Sequence, residues 1–126
     1  MTYVALVTLL ILAQYFFFVM QAGLARGKDT VVAPATTGDE IYERKARVQL
    51  NTLEQLIITL PAMWICAQYF RADVAAIMGL AFLIGRFLYS YLYIKNPKSR
   101  APGFVIGFFA NVILVATGLY GVIASL

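Results

Sequence analysis

Four long apolar segments, separated by polar turns, dominate this chain of 126 residues. They run over about residues 3–25, 47–70, 74–93 and 102–124. At 1.5 Å of rise per residue, about 20 helical residues cross the ~30 Å hydrocarbon core of a bilayer. In lipid, every backbone N–H and C=O needs a partner within its own segment or in a closed barrel. Barrel strands alternate apolar and polar positions over about ten residues, whereas these segments are longer and apolar on all sides. The sequence therefore predicts an all-α membrane protein with a single domain over residues 1–126. Its short connections and helical periodicity predict an up-down four-transmembrane-helix bundle. Composition agrees: 13% of residues are charged, against about a quarter in soluble domains. A unit this small buries limited surface by itself, so a homo-oligomer is expected.

Several function classes drop out on composition. With one cysteine, Cys66, and no histidine, neither an intramolecular disulfide nor a zinc or haem site is expected. Cys66 lies in an apolar stretch and reads as packing. The net charge of +4 is no nucleic-acid signal, since no soluble basic domain carries it. The first apolar segment is too long for the h-region of a signal peptide and has no basic residue before it, so it is expected to remain as a span. Arg26, Lys28, Arg44, Lys45, Arg47, Lys95, Lys98 and Arg100 fall on one side of the four spans, and Arg71 alone on the other. The positive-inside rule then places both basic connections in the cytoplasm and both termini outside it. The membrane would be a bacterial inner membrane, or the endoplasmic reticulum in a eukaryote.

Charge within a span is expensive and asks for a reason. Arg47, Asn51 and Glu54 enter the second span at helical offsets 0, 4 and 7, which places them on one face. Gln55 adjoins Glu54, and Gln49 points elsewhere. In the third span Arg86, Tyr89 and Tyr93, at offsets 0, 3 and 7, share a face that runs to the same end. Arg100 precedes the fourth span and Arg26 closes the first, again at that end. Individually these residues have plain structural readings. Arg26 and Arg47 fit snorkelling interface arginines, and Tyr89 and Tyr93 fit an aromatic belt. Glu54 and Arg86 make a candidate structural ion pair, and Asn51 a bundle hydrogen bond. Together they ask for more, because several cations around one carboxylate leave a net positive pocket suited to a small polar anion. Gln14, Gln21 and Asn111 read as interhelical hydrogen-bonders, and Gly103 with Gly107 as a GxxxG close-packing pair.

The run "ERKARVQLNTLEQLIITLPAMW" resembles the second-helix signature of the membrane-associated proteins in eicosanoid and glutathione metabolism, the MAPEG family. Its E-R-x-x-R-x-x-x-N-x-x-E core falls on Glu43, Arg44, Arg47, Asn51 and Glu54. "GRFLYSYLY" is similar to the family's third-helix segment, and "RAP" at Arg100–Pro102, "PATTG" and the arginine of "GLAR" also match. The resemblance covers essentially the whole chain and is nearest the microsomal glutathione transferase and leukotriene C4 synthase branch. The prostaglandin synthase branch has a histidine at the position of Tyr89, and an arginine and a serine where Phe104 and Val105 stand here.

The resemblance implies a homotrimer with glutathione bound at cytoplasmic subunit interfaces. Arg47, Asn51 and Glu54 would hold the γ-glutamyl end, and Gln49 and Gln55 match positions that contact glutathione in some members. Arg26 of a neighbouring subunit would bind a peptide carboxylate, Tyr89 and Tyr93 would line the site, and Arg100 would face the sulfur. The implied activity is a glutathione transferase or peroxidase acting, without a metal, on a lipophilic electrophile or a lipid hydroperoxide drawn from the membrane. A non-catalytic lipid-binding scaffold of the same family is the first alternative. A small four-span multidrug transporter is the second, although such proteins carry a glutamate in the first span, where this chain has Gln14 and Gln21.

Overall fold

The computed structural model describes residues 1–27 and 31–126; Lys28, counted above among the cations of one side, lies outside the described residues. Four helices follow one another: α1 (Thr2–Leu24), α2 (Glu40–Tyr69), α3 (Ala72–Lys95) and α4 (Ala101–Ala124), with a 3-10 turn at Pro97–Ser99 before α4. All four are long and apolar enough to cross a membrane. Large apolar side chains such as Leu9, Phe16, Ile57, Ile84, Phe109 and Leu119 cover the outside of the bundle, as expected of a surface whose solvent is lipid.

The caps explain where the helices begin. Helix α2 starts at Glu40, about two turns before the apolar onset near residue 47. The Asp39 side chain accepts a hydrogen bond from the Tyr42 N–H at 2.8 Å, and Glu40 and Glu43 place negative charge in the first turn. Helix α4 opens with Pro102 in its first turn, where a missing N–H leaves no bond unmade.

Contacts between helices give the topology. Thr8 meets Trp64, and Arg26 meets Tyr42, so α1 and α2 are antiparallel. Thr52 meets Arg86, and Arg44 meets Ile94, so α2 and α3 are antiparallel. Thr59 meets Asn111 while Cys66 meets Thr117, so α2 and α4 run parallel. Helix α3 packs against all three others. This is the expected up-down bundle.

Its core has two parts. Val4, Ile11, Met63, Phe82 and Leu114 belong to the larger cluster, which fills the middle and one end. Phe18, Val48 and Tyr89 form a second, smaller cluster with Tyr93 and Ile94 beside it. That smaller cluster underlies the end where the arginines gather. The polar residues of the interior behave in part as expected. Gln14 donates from Nε2 to the Leu83 carbonyl at 2.8 Å, joining α1 to α3, and Asn111 joins α4 to α2. Gln21 makes no such bond among the described residues, and its buried Oε1 stands without a partner there.

Candidate functional site

Because α2 begins at Glu40, Arg47, Asn51 and Glu54 all sit within regular helix. The Arg47 Nη1 donates to Glu54 Oε1 at 3.3 Å, with the two side chains 50% and 59% exposed. Asn51 lies between them, and its buried Oδ1 has no hydrogen-bond partner among the described residues. An exposed pair of this kind adds only about 0–1 kcal/mol of stability, and an orphaned amide oxygen adds none. The face is therefore poorly explained as a device for holding the bundle together. It offers an exposed cation and anion with a half-buried amide between them, which complements a zwitterionic ligand.

Helix α3 supplies the adjoining wall. Tyr89 is buried and stacks on Tyr93 with centroids 5.5 Å apart and planes 18° from parallel. Beneath it, the Arg86 guanidinium lies 4.2 Å from the Tyr89 ring centroid. Arg86 does not form the expected ion pair with Glu54. It is 1% exposed, and its Nη2 donates to Thr52 Oγ1 at 2.8 Å, while Glu54 faces outward with Arg47. Thr52 and Glu54 are two residues apart, which on a helix points them to different faces, and α3 packs on the Thr52 side. Val48, next to Arg47, packs with Tyr89, and Gly103, one turn after Arg100, lies against the Tyr89 backbone, so Arg47, Arg86 and Arg100 gather at the level of this tyrosine.

Arg100 stands between the 3-10 turn and α4, where its Nη1 donates to the Pro97 carbonyl at 3.1 Å. The side chain is exposed and, with Lys98, Ala101 and Phe104, lines an open cavity of about 350 Å³. Phe104 stacks on Phe108 along the outer face of α4, at 6.1 Å between centroids. The cationic end of this cavity thus continues into an aromatic strip on the lipid-facing side. Helix α4 comes so close to α3 here that a Cβ on Gly103 would lie 2.5 Å from the Tyr89 Cα.

Other expected site residues are placed differently. Gln55 turns inward: its Oε1 accepts from Asn111 Nδ2 at 3.1 Å, and Thr59 donates to Asn111 Oδ1 at 2.6 Å. Its oxygen is therefore engaged in joining α2 to α4 and does not face Arg47. Gln49 is half-buried and is not brought against the Arg47–Glu54 pair. Arg26 sits apart at the end of α1, donating from Nη1 to the Ala35 carbonyl at 2.7 Å and lying 4.7 Å over the Tyr42 ring.

Three contributors were missed from sequence: Thr52, Tyr42 and Arg44. Thr52 carried a usable signal, because it shares a helical face with the apolar Val48 and Leu56. Tyr42 precedes the apolar onset near residue 47, so hydropathy alone does not place it in α2. Arg44, seen only as part of a motif, donates to the carbonyls of Ile94 and Lys95 at 2.9 and 3.3 Å and pairs with Glu40. It satisfies the last turn of α3 and fixes that helix end against α2.

The sequence profile described as the MAPEG family matches residues 4–120. An uncharacterized protein of Synechocystis is 43% identical over 122 residues, covering 97% of this chain and 89% of its own length. Human microsomal glutathione S-transferase 2 is 34% identical over 121 residues, covering 96% and 82% respectively. Leukotriene C4 synthase of Cavia porcellus is 32% identical over 120 residues, covering 95% and 80%.

Proposed function

Starting from the fact that the chain belongs to the MAPEG family, an integral multi-pass membrane family, we propose that it is a membrane-bound glutathione transferase, with peroxidase activity as the variant chemistry of the same site. The observation that carries this reading is the exposed Arg47–Glu54 pair, with Asn51 between them, at the level of Tyr89, Tyr93 and Arg100. Glutathione brings one ammonium and two carboxylates. Glu54 answers the ammonium, and Arg47 with Asn51 answers the adjoining carboxylate. Arg26 answers the glycyl carboxylate, and the open face of α2 supports a site closed by a neighbouring subunit of a homotrimer. Gln49 belongs near the same interface. Gln55 is left out of the ligand set, because its amide oxygen already serves Asn111. The arginine-rich end faces the cytoplasm by the positive-inside rule, which is where glutathione would enter.

Arg100 is the catalytic group. A free thiol has a pKa of about 8.5 and is mostly protonated at neutral pH, while the thiolate is the nucleophile. A guanidinium beside the sulfur favours the ionised form and cannot itself donate its proton away. The thiolate sulfur then attacks an electrophilic carbon, a C–S bond forms, and the bond to the leaving group breaks with its electron pair. With a hydroperoxide the sulfur attacks the terminal oxygen, the O–O bond breaks, the alkoxide leaves and takes a proton from water to become the alcohol, and the sulfur is left as a sulfenic acid. A second glutathione thiolate then attacks that sulfur, forming the disulfide and expelling hydroxide, which is protonated to water. The aromatic strip of Phe104 and Phe108 beside Arg100 supports a lipophilic partner arriving from the bilayer.

The test is ultraviolet thiolate absorbance on adding glutathione to the detergent-purified protein at neutral pH. Wild type is expected to show the thiolate band. Arg100→Ala is expected to lose the band and most of its turnover while still binding glutathione. Unchanged turnover in Arg100→Ala removes that residue from the mechanism. Absence of any glutathione binding in wild type refutes the enzyme and moves a lipid-binding scaffold to the front.

A further inference from the structure

Arg26 is a proposed glutathione contact that the chain holds with its own groups, one in the first connection and one in the first turn of α2. Its Nη1 donates to the Ala35 carbonyl at 2.7 Å, and its Cζ lies 4.7 Å from the centroid of the Tyr42 ring. Tyr42 is 4% exposed and sits in the first turn of α2, where its own N–H is bound by Asp39. The ring is therefore a fixed platform, set by a helix cap, against which a long flexible side chain rests. Because Nη1 is engaged, the guanidinium edge formed by Nε and Nη2 is used by neither contact. That edge carries two parallel N–H groups, the geometry that receives a carboxylate in bidentate fashion.

We infer that Tyr42 is a positioning residue for ligand recognition: its ring and the Ala35 carbonyl orient Arg26 so that the Nε–Nη2 edge selects thiols bearing a glycyl carboxylate. The inference rests on the glutathione reading above and adds to it the residue that sets selectivity. Tyr42 itself touches no ligand. Its effect is confined to the carboxylate that Arg26 binds, which separates it from a residue that merely stabilises the fold.

The experiment compares dissociation constants for glutathione and for γ-glutamylcysteine, which lacks the glycine and its carboxylate. The full-length protein is used in detergent, with kcat measured in parallel. Wild type is expected to prefer glutathione. Tyr42→Leu, which removes the ring, is expected to weaken glutathione about two- to five-fold, the scale of a partly exposed cation–π contact. It leaves γ-glutamylcysteine affinity and kcat unchanged. Tyr42→Phe keeps the ring and behaves as wild type. Arg26→Lys, which keeps the charge but lacks the fork, loses the preference for glutathione.

Tyr42→Met serves if the leucine variant does not fold. Equal weakening of both thiols in the ring-less variants, or no change in either, overturns the inference while leaving the glutathione reading standing. A wild type that binds neither thiol refutes the glutathione reading, and this inference falls with it.

Discussion

Substituting Gly103 by alanine should separate the site's two halves without touching a single polar group. The added Cβ would lie 2.5 Å from the Tyr89 Cα and 2.8 Å from its Cβ, and would also collide with the Tyr89 backbone nitrogen. Ordinary Cβ contacts begin near 3.4 Å, so α3 and α4 must part by about 1 Å at this level. The obstacle is backbone, which has no rotamer to yield. Overpacking of this kind costs about 1–3 kcal/mol, and we expect the upper part of that range.

Gly103 lies one turn beyond Arg100, and the displaced residue is Tyr89. The proposed catalytic guanidinium and the tyrosine that lines the site would therefore move apart, and a misplacement of about 1 Å can cost on the order of 10²-fold in rate. Two companion variants supply the scale. A Cβ on Gly107, the other glycine of the GxxxG pair, meets Phe82 Cδ2 at an ordinary 3.7 Å, so Gly107→Ala should be nearly neutral. A Cβ on Gly121 would collide with the Tyr69 carbonyl at the far end of the bundle, so Gly121→Ala should lose stability but keep the turnover of its folded fraction. The assay is thermal unfolding in detergent beside turnover of a chlorodinitrobenzene with glutathione. If Gly103→Ala melts and turns over like Gly107→Ala, the close approach at Tyr89 is not what sets the site's geometry.

Two further outcomes separate structure from ligand binding. Thr52→Val removes the acceptor that the buried Arg86 Nη2 uses at 2.8 Å. A bond to a charged group contributes about 1.5–3 kcal/mol, so unfolding in detergent should shift by that order, and an unshifted transition would show that Arg86 finds another partner. Gln55→Met should lower stability by about 1 kcal/mol through loss of the Asn111 contact, with glutathione affinity unchanged by isothermal titration; a clear loss of affinity would return Gln55 to the ligand set.

The four helices were legible because a bilayer leaves so few alternatives for long apolar segments. The start of α2 was not, because its first two turns are polar and precede the apolar run. The cap at Asp39 was the signal, and it lies inside a stretch that reads as loop. That Arg47, Asn51 and Glu54 share one face followed from helical offsets alone. What offsets do not give is which neighbour a face meets. Gln55 follows Glu54 directly, yet one reaches Asn111 on α4 and the other faces out. Likewise the sequence offers Glu54 as the obvious partner for Arg86, while packing delivers Thr52. Opposite charge was a poorer guide there than the level and side at which two helices touch.

The buried guanidinium of Arg86 also bears on how the chain enters the membrane during synthesis. An arginine near the middle of a lone helix raises its insertion free energy by about 2.5–3.5 kcal/mol on translocon scales. The hydroxyl that receives this one belongs to α2, which leaves the ribosome first and is joined to α3 through Phe70 and Arg71. Order of synthesis and shortness of the turn thus bring the acceptor to the charge as soon as α3 emerges, so the α2–α3 hairpin is the natural unit of insertion. Lengthening that turn would leave the Arg86–Thr52 contact of the folded bundle in place and still lower the yield of correctly inserted chains.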